Sequence, residues 1–104
     1  MDMMAALRQA QEMKKKYDQT QEELEQMTLT GAAAGGMVTV DVSGLGLVKR
    51  VKIDRSVVNP DDIEMLEDLI IVASAEAQKK AADAMQEEMG KVTGGIDLPF
   101  KLPF

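Results

Sequence analysis

The sequence predicts a small α/β protein of the α+β kind, in the order helix, three strands, helix. Three observations carry that expectation. Residues 2–27 and 60–89 repeat their apolar side chains at helical spacing. Residues 28–54, between them, alternate at period two and are punctuated by glycine. Little else is present in 104 residues, so 1–104 reads as one domain, with 90–104 as a tail.

The first helix carries a heptad. Met3, Ala10, Tyr17 and Leu24 fall at one seam position, and Ala6, Met13, Thr20 and Met27 at the other. That spacing gives a narrow apolar stripe suited to helix–helix packing. Methionine and alanine make the seam adaptable rather than rigid. It reads either as an ordinary core stripe or as a Met-rich surface for a partner helix.

The strands follow. Thr28–Thr30 forms a short first strand, and Gly31, Gly35 and Gly36 around Ala32-Ala33-Ala34 read as the loop after it. In Met37–Val42, the valines 38, 40 and 42 share one face. Ser43-Gly44-Leu45-Gly46 is a hairpin turn, because glycine accepts positive φ. In Leu47–Ile53, the residues Leu47, Lys49, Val51 and Ile53 are expected on one face, with Val48, Arg50 and Lys52 on the other. The sheet should have one covered and one wet side.

The second helix has an explicit start. Asn59 suits the N-cap, Pro60 the first helical position, and Asp61 and Asp62 the positive end of the helix dipole. Ile63, Leu66, Ile70, Ala73, Ala77, Ala81 and Ala84 recur at spacings of three and four. The large residues of the first half should cover the sheet. The alanines of the second half suit a close approach between helices in a projecting arm. Gly90 and Gly94-Gly95 mark the stop. Phe100 and Phe104, each preceded by proline, predict that the tail docks on the helices of its own chain or of a partner.

Lengths add a second-chain requirement. A helix of about 25 residues is about 37 Å long, and three strands side by side are only about 14 Å wide. Helices that overhang their sheet expose apolar stripe, so a homodimer is expected, with Met3, Ala10, Met13, Tyr17 and Leu24 as its packing residues.

Composition removes whole classes of chemistry. The chain has no cysteine and no histidine, so disulfides, thiolate zinc sites and imidazole general bases are excluded. Ser43, Ser56 and Ser74 have no imidazole to activate them. Glu64, Glu67 and Asp68 share a helix face but form no calcium-loop pattern. The expectation is no enzyme, no cofactor, no metal and no small-molecule substrate. Neither a signal peptide nor a membrane span is apparent, so a cytoplasmic location is expected.

The net charge is −6, yet cations cluster. Arg8 and Lys14-Lys15-Lys16 lie on the first helix, mostly off the seam, and Lys79, Lys80 and Lys91 on or after the second half of the other. Antiparallel helices would bring them to one arm, able to grip phosphates on an otherwise acidic molecule. Arg50 and Lys52 on the wet sheet face are a second candidate surface. The alternative is a solvated face of ordinary ion pairs with Glu12, Glu22, Glu23, Glu87 and Glu88.

Several segments together resemble a known family. They are Gly35-Gly36-Met37-Val38-Thr39-Val40, Val48 to Val51-Lys52-Ile53-Asp54, then Asp62-Ile63-Glu64-Met65-Leu66-Glu67-Asp68-Leu69-Ile70, Lys80-Ala81, Met89, Thr93-Gly94-Gly95 and Pro103-Phe104. In these the chain resembles the YbaB/EbfC family of bacterial nucleoid-associated proteins. The resemblance implies a tweezer-like homodimer with helical arms. It also implies a cytoplasmic, nucleoid-associated protein that binds double-stranded DNA with loose sequence preference. Two positions depart from the family pattern: Arg55 stands where proline is expected, and Ala75 where asparagine is expected. A protein-interaction scaffold using the Met-rich seam, and RNA binding, are the alternative readings.

Overall fold

The computed structural model describes residues 2–92. The elements run α1 (Met3–Gln26), β1 (Leu29–Ala33), β2 (Val38–Val42), β3 (Val48–Ile53) and α2 (Ile63–Val92), with short 3-10 turns at Ala34–Gly36 and Arg55–Val57. The α-β-β-β-α order is the one the sequence predicts. The tail expectations at 93–104 lie outside the described residues.

Asp2 caps α1, its carboxylate accepting from the Met4 N–H at 3.3 Å. Twenty-four residues make this helix about 36 Å long, yet only Thr20 and Leu24 in it are buried. The heptad is therefore covered within the chain only toward its C-terminal end. Leu24 is fixed there by the β2–β3 hairpin, whose Gly44 N–H donates to the Leu24 carbonyl at 2.7 Å.

The sheet is antiparallel in the order β1-β2-β3. Val38, Val40 and Val42 are fully buried beneath α2, as their alternation requires. The loop expected over 31–36 begins later, because β1 pairs on through Ala33 with Val38. Gly31 is a strand residue. A Cβ there would collide with the Ala73 carbonyl oxygen and stand 2.5 Å from the Ala77 nitrogen, so this glycine lets α2 lie directly on the β1 backbone. The chain reverses instead through Ala34, Gly35 and Gly36, all at positive φ.

The start of α2 is also corrected. Asn59 Oδ1 accepts from the Asp61 N–H at 3.0 Å and the Asp62 N–H donates to the Asn59 carbonyl at 2.9 Å, closing a separate turn with Pro60 inside it. The helix proper begins at Ile63, where Asp62 Oδ1 accepts from the Met65 N–H at 3.2 Å. Both residues offer a capping oxygen, and the one adjoining the periodic segment holds the helix. From there α2 buries Ala73, Ala77 and Ala81 against β1 and β2, with Leu66, Leu69 and Ile70 packed beside them. Arg55, one of the two family departures, opens the 3-10 turn after β3, and the other, Ala75, is exposed on α2.

Candidate nucleic-acid interface

The two helices run antiparallel away from the sheet. Met13 and Tyr17 of α1 face Ala82, Met85, Met89 and Val92 of α2, while Leu24 lies back at the hairpin. The first turns of α1 therefore extend past Val92, and Met3, Met4 and Leu7 are exposed. This is the projecting arm. Of the expected packing residues, Leu24 is buried, Met13 and Tyr17 are partly covered by α2, and Met3 and Ala10 are exposed in the single chain.

Most of the predicted cations are where the helical phase puts them, though they are not all on the arm. Arg8 lies on the overhanging part of α1, beside Ala5, Gln9 and Glu12. Lys14, Lys15 and Lys16 are exposed one turn and more further on. Lys14 Nζ is 3.9 Å from the Asp18 carboxylate in a solvent-facing pair of little strength. Lys15 and Lys16 are in no ion pair among the described residues. Lys91 stands at the same end of α2 as Val92 and is paired with Glu88 at 3.0 Å. The Glu88 hydrogen bond and charge push the Lys91 ammonium above its ordinary range.

Lys80 is a correction. Its ammonium donates to the Thr30 carbonyl of edge strand β1 at 2.8 Å and lies 3.4 Å from Glu76. It is a clamp between helix and sheet at the level of Ala77 and Ala81, not an arm residue. Lys79, next to it, is exposed at the same level. Antiparallel helices gather the first-helix cations with Lys91, but about eleven residues separate Lys80 from Lys91, some 16 Å along the axis.

The sheet surface gains a residue that alternation assigned elsewhere. Val40 pairs with Val51 and Asp41 with Arg50, but Val42 pairs with Val48, leaving Lys49 as one extra residue. Such a bulge reverses the inside-outside parity of everything before it. Val48 therefore joins Val51 and Ile53 on the helix side of β3, and Lys49 joins Arg50 and Lys52 on the open side. Lys49 Nζ donates to Thr28 Oγ1 at 3.0 Å and to the Met27 carbonyl at 3.4 Å. The open face thus carries Lys49, Arg50 and Lys52 beside Thr30 and Asp41, whose side chains bond each other at 2.7 Å. A strictly alternating pattern gave no sign of this bulge.

The helix side of β3 is bare. Val48, Val51 and Ile53 are 54, 43 and 37 % exposed, because α2 lies over β1 and β2. Two polar residues have local roles. The buried Ser43 hydroxyl accepts from the Leu45 and Leu47 N–H groups at 3.2 and 3.4 Å, inside the hairpin. Asp54 accepts from the Ser56 hydroxyl at 2.7 Å and its N–H at 2.8 Å, and these bonds hold its carboxyl below the usual range. Among the described residues, no group of three or more acidic side chains has the geometry of a metal site, and no helix is long and apolar enough to cross a membrane.

Two long helices on one three-stranded antiparallel sheet, with exposed cations on an overhanging arm and on the open sheet face, define a small α+β class of protein. Residues 1–96 match the model of the YbaB/EbfC DNA-binding family, and the chain belongs to that family. It is 62% identical over 104 residues, all of both chains, to a nucleoid-associated protein of Gemmatimonas aurantiaca. It is 48% identical over 100 residues to one of Paramagnetospirillum magneticum, covering 94% of each. The crystal structure of an uncharacterized protein from Helicobacter pylori superposes with a TM-score of 0.67 at 25% identity, over 92% of this chain and 97% of that one.

Proposed function

We propose that this protein is a cytoplasmic, nucleoid-associated homodimer that binds double-stranded DNA mainly through its phosphates, with loose sequence preference and without catalysis. The observation that carries the reading is the Lys14-Lys15-Lys16 run on an exposed stretch of α1 that overhangs the sheet. On a chain of net charge −6, a local cluster on a projecting arm is what permits phosphates to approach. Arg8 and Lys91 flank the run and Lys79 extends it toward the sheet, whereas Lys80 is held by Thr30 and Glu76. The open sheet face with Lys49, Arg50 and Lys52 is the second binding surface. Loose selectivity follows from these side chains being point charges for phosphates rather than a helix of Asn, Gln and Arg directed at base edges.

The bare helix side of β3 and the exposed α1 seam support dimerisation, because a chain of this size gains stability by covering such surface with a second copy. Two arms that each neutralise two or three phosphates give a slope of log affinity against log salt of about −4 to −5. Gel shifts across a salt series test this. Replacing Lys14, Lys15 and Lys16 by glutamine should weaken binding to all duplexes alike. It should also flatten the slope by about 1 for each phosphate no longer neutralised. Replacing Lys49, Arg50 and Lys52 serves as the comparison. If only the sheet variant loses affinity, the arm is not the principal site. If duplex and RNA of equal length compete equally, the preference for DNA is wrong. If the parent binds neither at low salt, the Met-lined arm points instead to a protein-interaction scaffold.

A further inference from the structure

The exposed cations fall in two groups that carboxylates keep apart. Lys14, Lys15 and Lys16 are exposed on the arm, and Lys49, Arg50 and Lys52 on the open sheet face. The first helix itself measures the gap between them. Lys49 Nζ donates to the Met27 carbonyl at 3.4 Å, and Met27 follows Lys16 by about eleven residues, or about 16 Å along the axis. That exceeds the screening length of about 8 Å at physiological salt, so the two groups do not reinforce each other through space.

The gap is acidic. Asp18, Glu22, Glu23 and Glu25 lie in it and are all exposed. Steps of four and three residues line up Lys14, Asp18, Glu22 and Glu25 on one face of α1. Lys16 and Glu23, two turns apart, share the neighbouring face. The second helix repeats the interruption, since Lys79, Asp83, Glu87 and Lys91 follow one another at intervals of four, all exposed. A duplex carries one negative charge per about 1.7 Å of its axis, so one laid from arm to sheet would set about nine phosphates along the gap. Phosphate against carboxylate opposes that path. A duplex crossing the molecule at either end meets cations instead.

We infer that the arm and the open sheet face are two separate duplex sites, and that the protein holds two segments of double-stranded DNA at once. This rests on the phosphate binding proposed above and adds bridging to it. Each chain carries both sites, so bridging does not depend on two arms gripping different duplexes. A binder of this kind draws distant segments together, where a single-site binder only coats them.

The test is a capture assay. A duplex tethered to beads and a free fluorescent duplex are mixed with the full chain at low salt, and the fluorescence recovered with the beads reports molecules that hold both. Gel shifts with the free duplex alone report binding of one. The parent is compared with Lys14→Gln/Lys15→Gln/Lys16→Gln and with Arg50→Gln/Lys52→Gln. Lys49 is kept because it ties β3 to the end of α1. All the replaced side chains are exposed, and thermal melts check that each variant is folded. The parent should recover the free duplex. Each cation variant should still shift a duplex, through its remaining site, but lose the capture. A third variant, Glu22→Gln/Glu23→Gln/Glu25→Gln, should join the sites. One duplex then spans both, so the salt slope steepens by about 1 for each phosphate added and capture falls. Affinity and capture rising together in this variant would overturn the separation of the sites. A parent that shifts a duplex but captures none overturns bridging and leaves the proposed function standing. Capture by the sheet variant equal to the parent's overturns the inference as well, because two arms of a dimer would then suffice. A parent that shifts no duplex at low salt removes the proposed function itself, and bridging with it.

Discussion

Gly31 has no room for a side chain. The atoms that a Cβ would meet belong to the backbone of α2 at Ala73 and Ala77, which cannot move aside as a side-chain tip can. Gly31→Ala should therefore lift the helix from β1 and destabilise the fold by about 2–3 kcal/mol, measured by denaturant unfolding. A loss under about 0.5 kcal/mol, the range of surface substitutions, would mean the close approach is not maintained. In the sequence this glycine was indistinguishable from a loop glycine, since composition reports that a residue is small and not what comes near it. Asp54 supplies a pH-dependent case. Its carboxyl is depressed below the ordinary 3.8 by hydrogen bonds from Ser56. A depressed carboxylate favours the folded state above its unfolded pKa, and that contribution is lost as pH falls through the lower folded value. NMR titration should find Asp54 ionising below the ordinary aspartate value of 3.8, and Ser56→Ala should return it toward that value.

At the scale of elements, the two helices and the covered strand were legible, because amphipathic periodicity is a direct image of which face is buried. Val38, Val40 and Val42 are the clearest instance. Boundaries were less legible where two residues compete for one role. Asn59 and Asp62 both offer a capping oxygen, and the helix begins after Asp62. Asp62→Ala should cost about 1 kcal/mol and fray the first turn of α2 by hydrogen exchange, whereas Asn59→Ala should leave exchange in that turn unchanged. The bulge in β3 was illegible for a different reason. A single extra residue keeps the composition of a strand and alters only its partner register, and register is a property of two strands. It moves Lys49 onto the open face with Arg50 and Lys52, and Val48 onto the helix side.

For the whole molecule, the question is what covers the surface that one chain leaves bare. The helix side of β3 is continuous with the core through Val38 and Val40, its paired neighbours, yet it is open beyond β2. If a second copy covers it, Val51→Asp should bury an uncompensated charge at the interface, at a cost of several kcal/mol. Sedimentation at micromolar concentration should then show the parent at twice the 11.3 kDa chain mass and the variant dissociated. A parent sedimenting as a folded monomer would remove the dimer from the proposal. In the proposed function the arm cations belong to this scale too, since two arms could engage a duplex together only if a dimer held them.

The sequence by itself determined the order of elements, the valine core, the absence of imidazole and thiol chemistry, and the presence of a cationic run on a long helix. These follow from periodicity and composition, which act within a few residues along the chain. Tertiary structure alone decided that Lys80 is bonded to Thr30 and Glu76 rather than placed on the arm. It likewise decided that Gly31 lies beneath a helix and that Lys49 shares a face with Arg50 and Lys52. Each of these depends on which residue of a distant segment comes opposite. That is fixed by the packing of helix on sheet and strand on strand, and neither propensity nor spacing within one segment contains it.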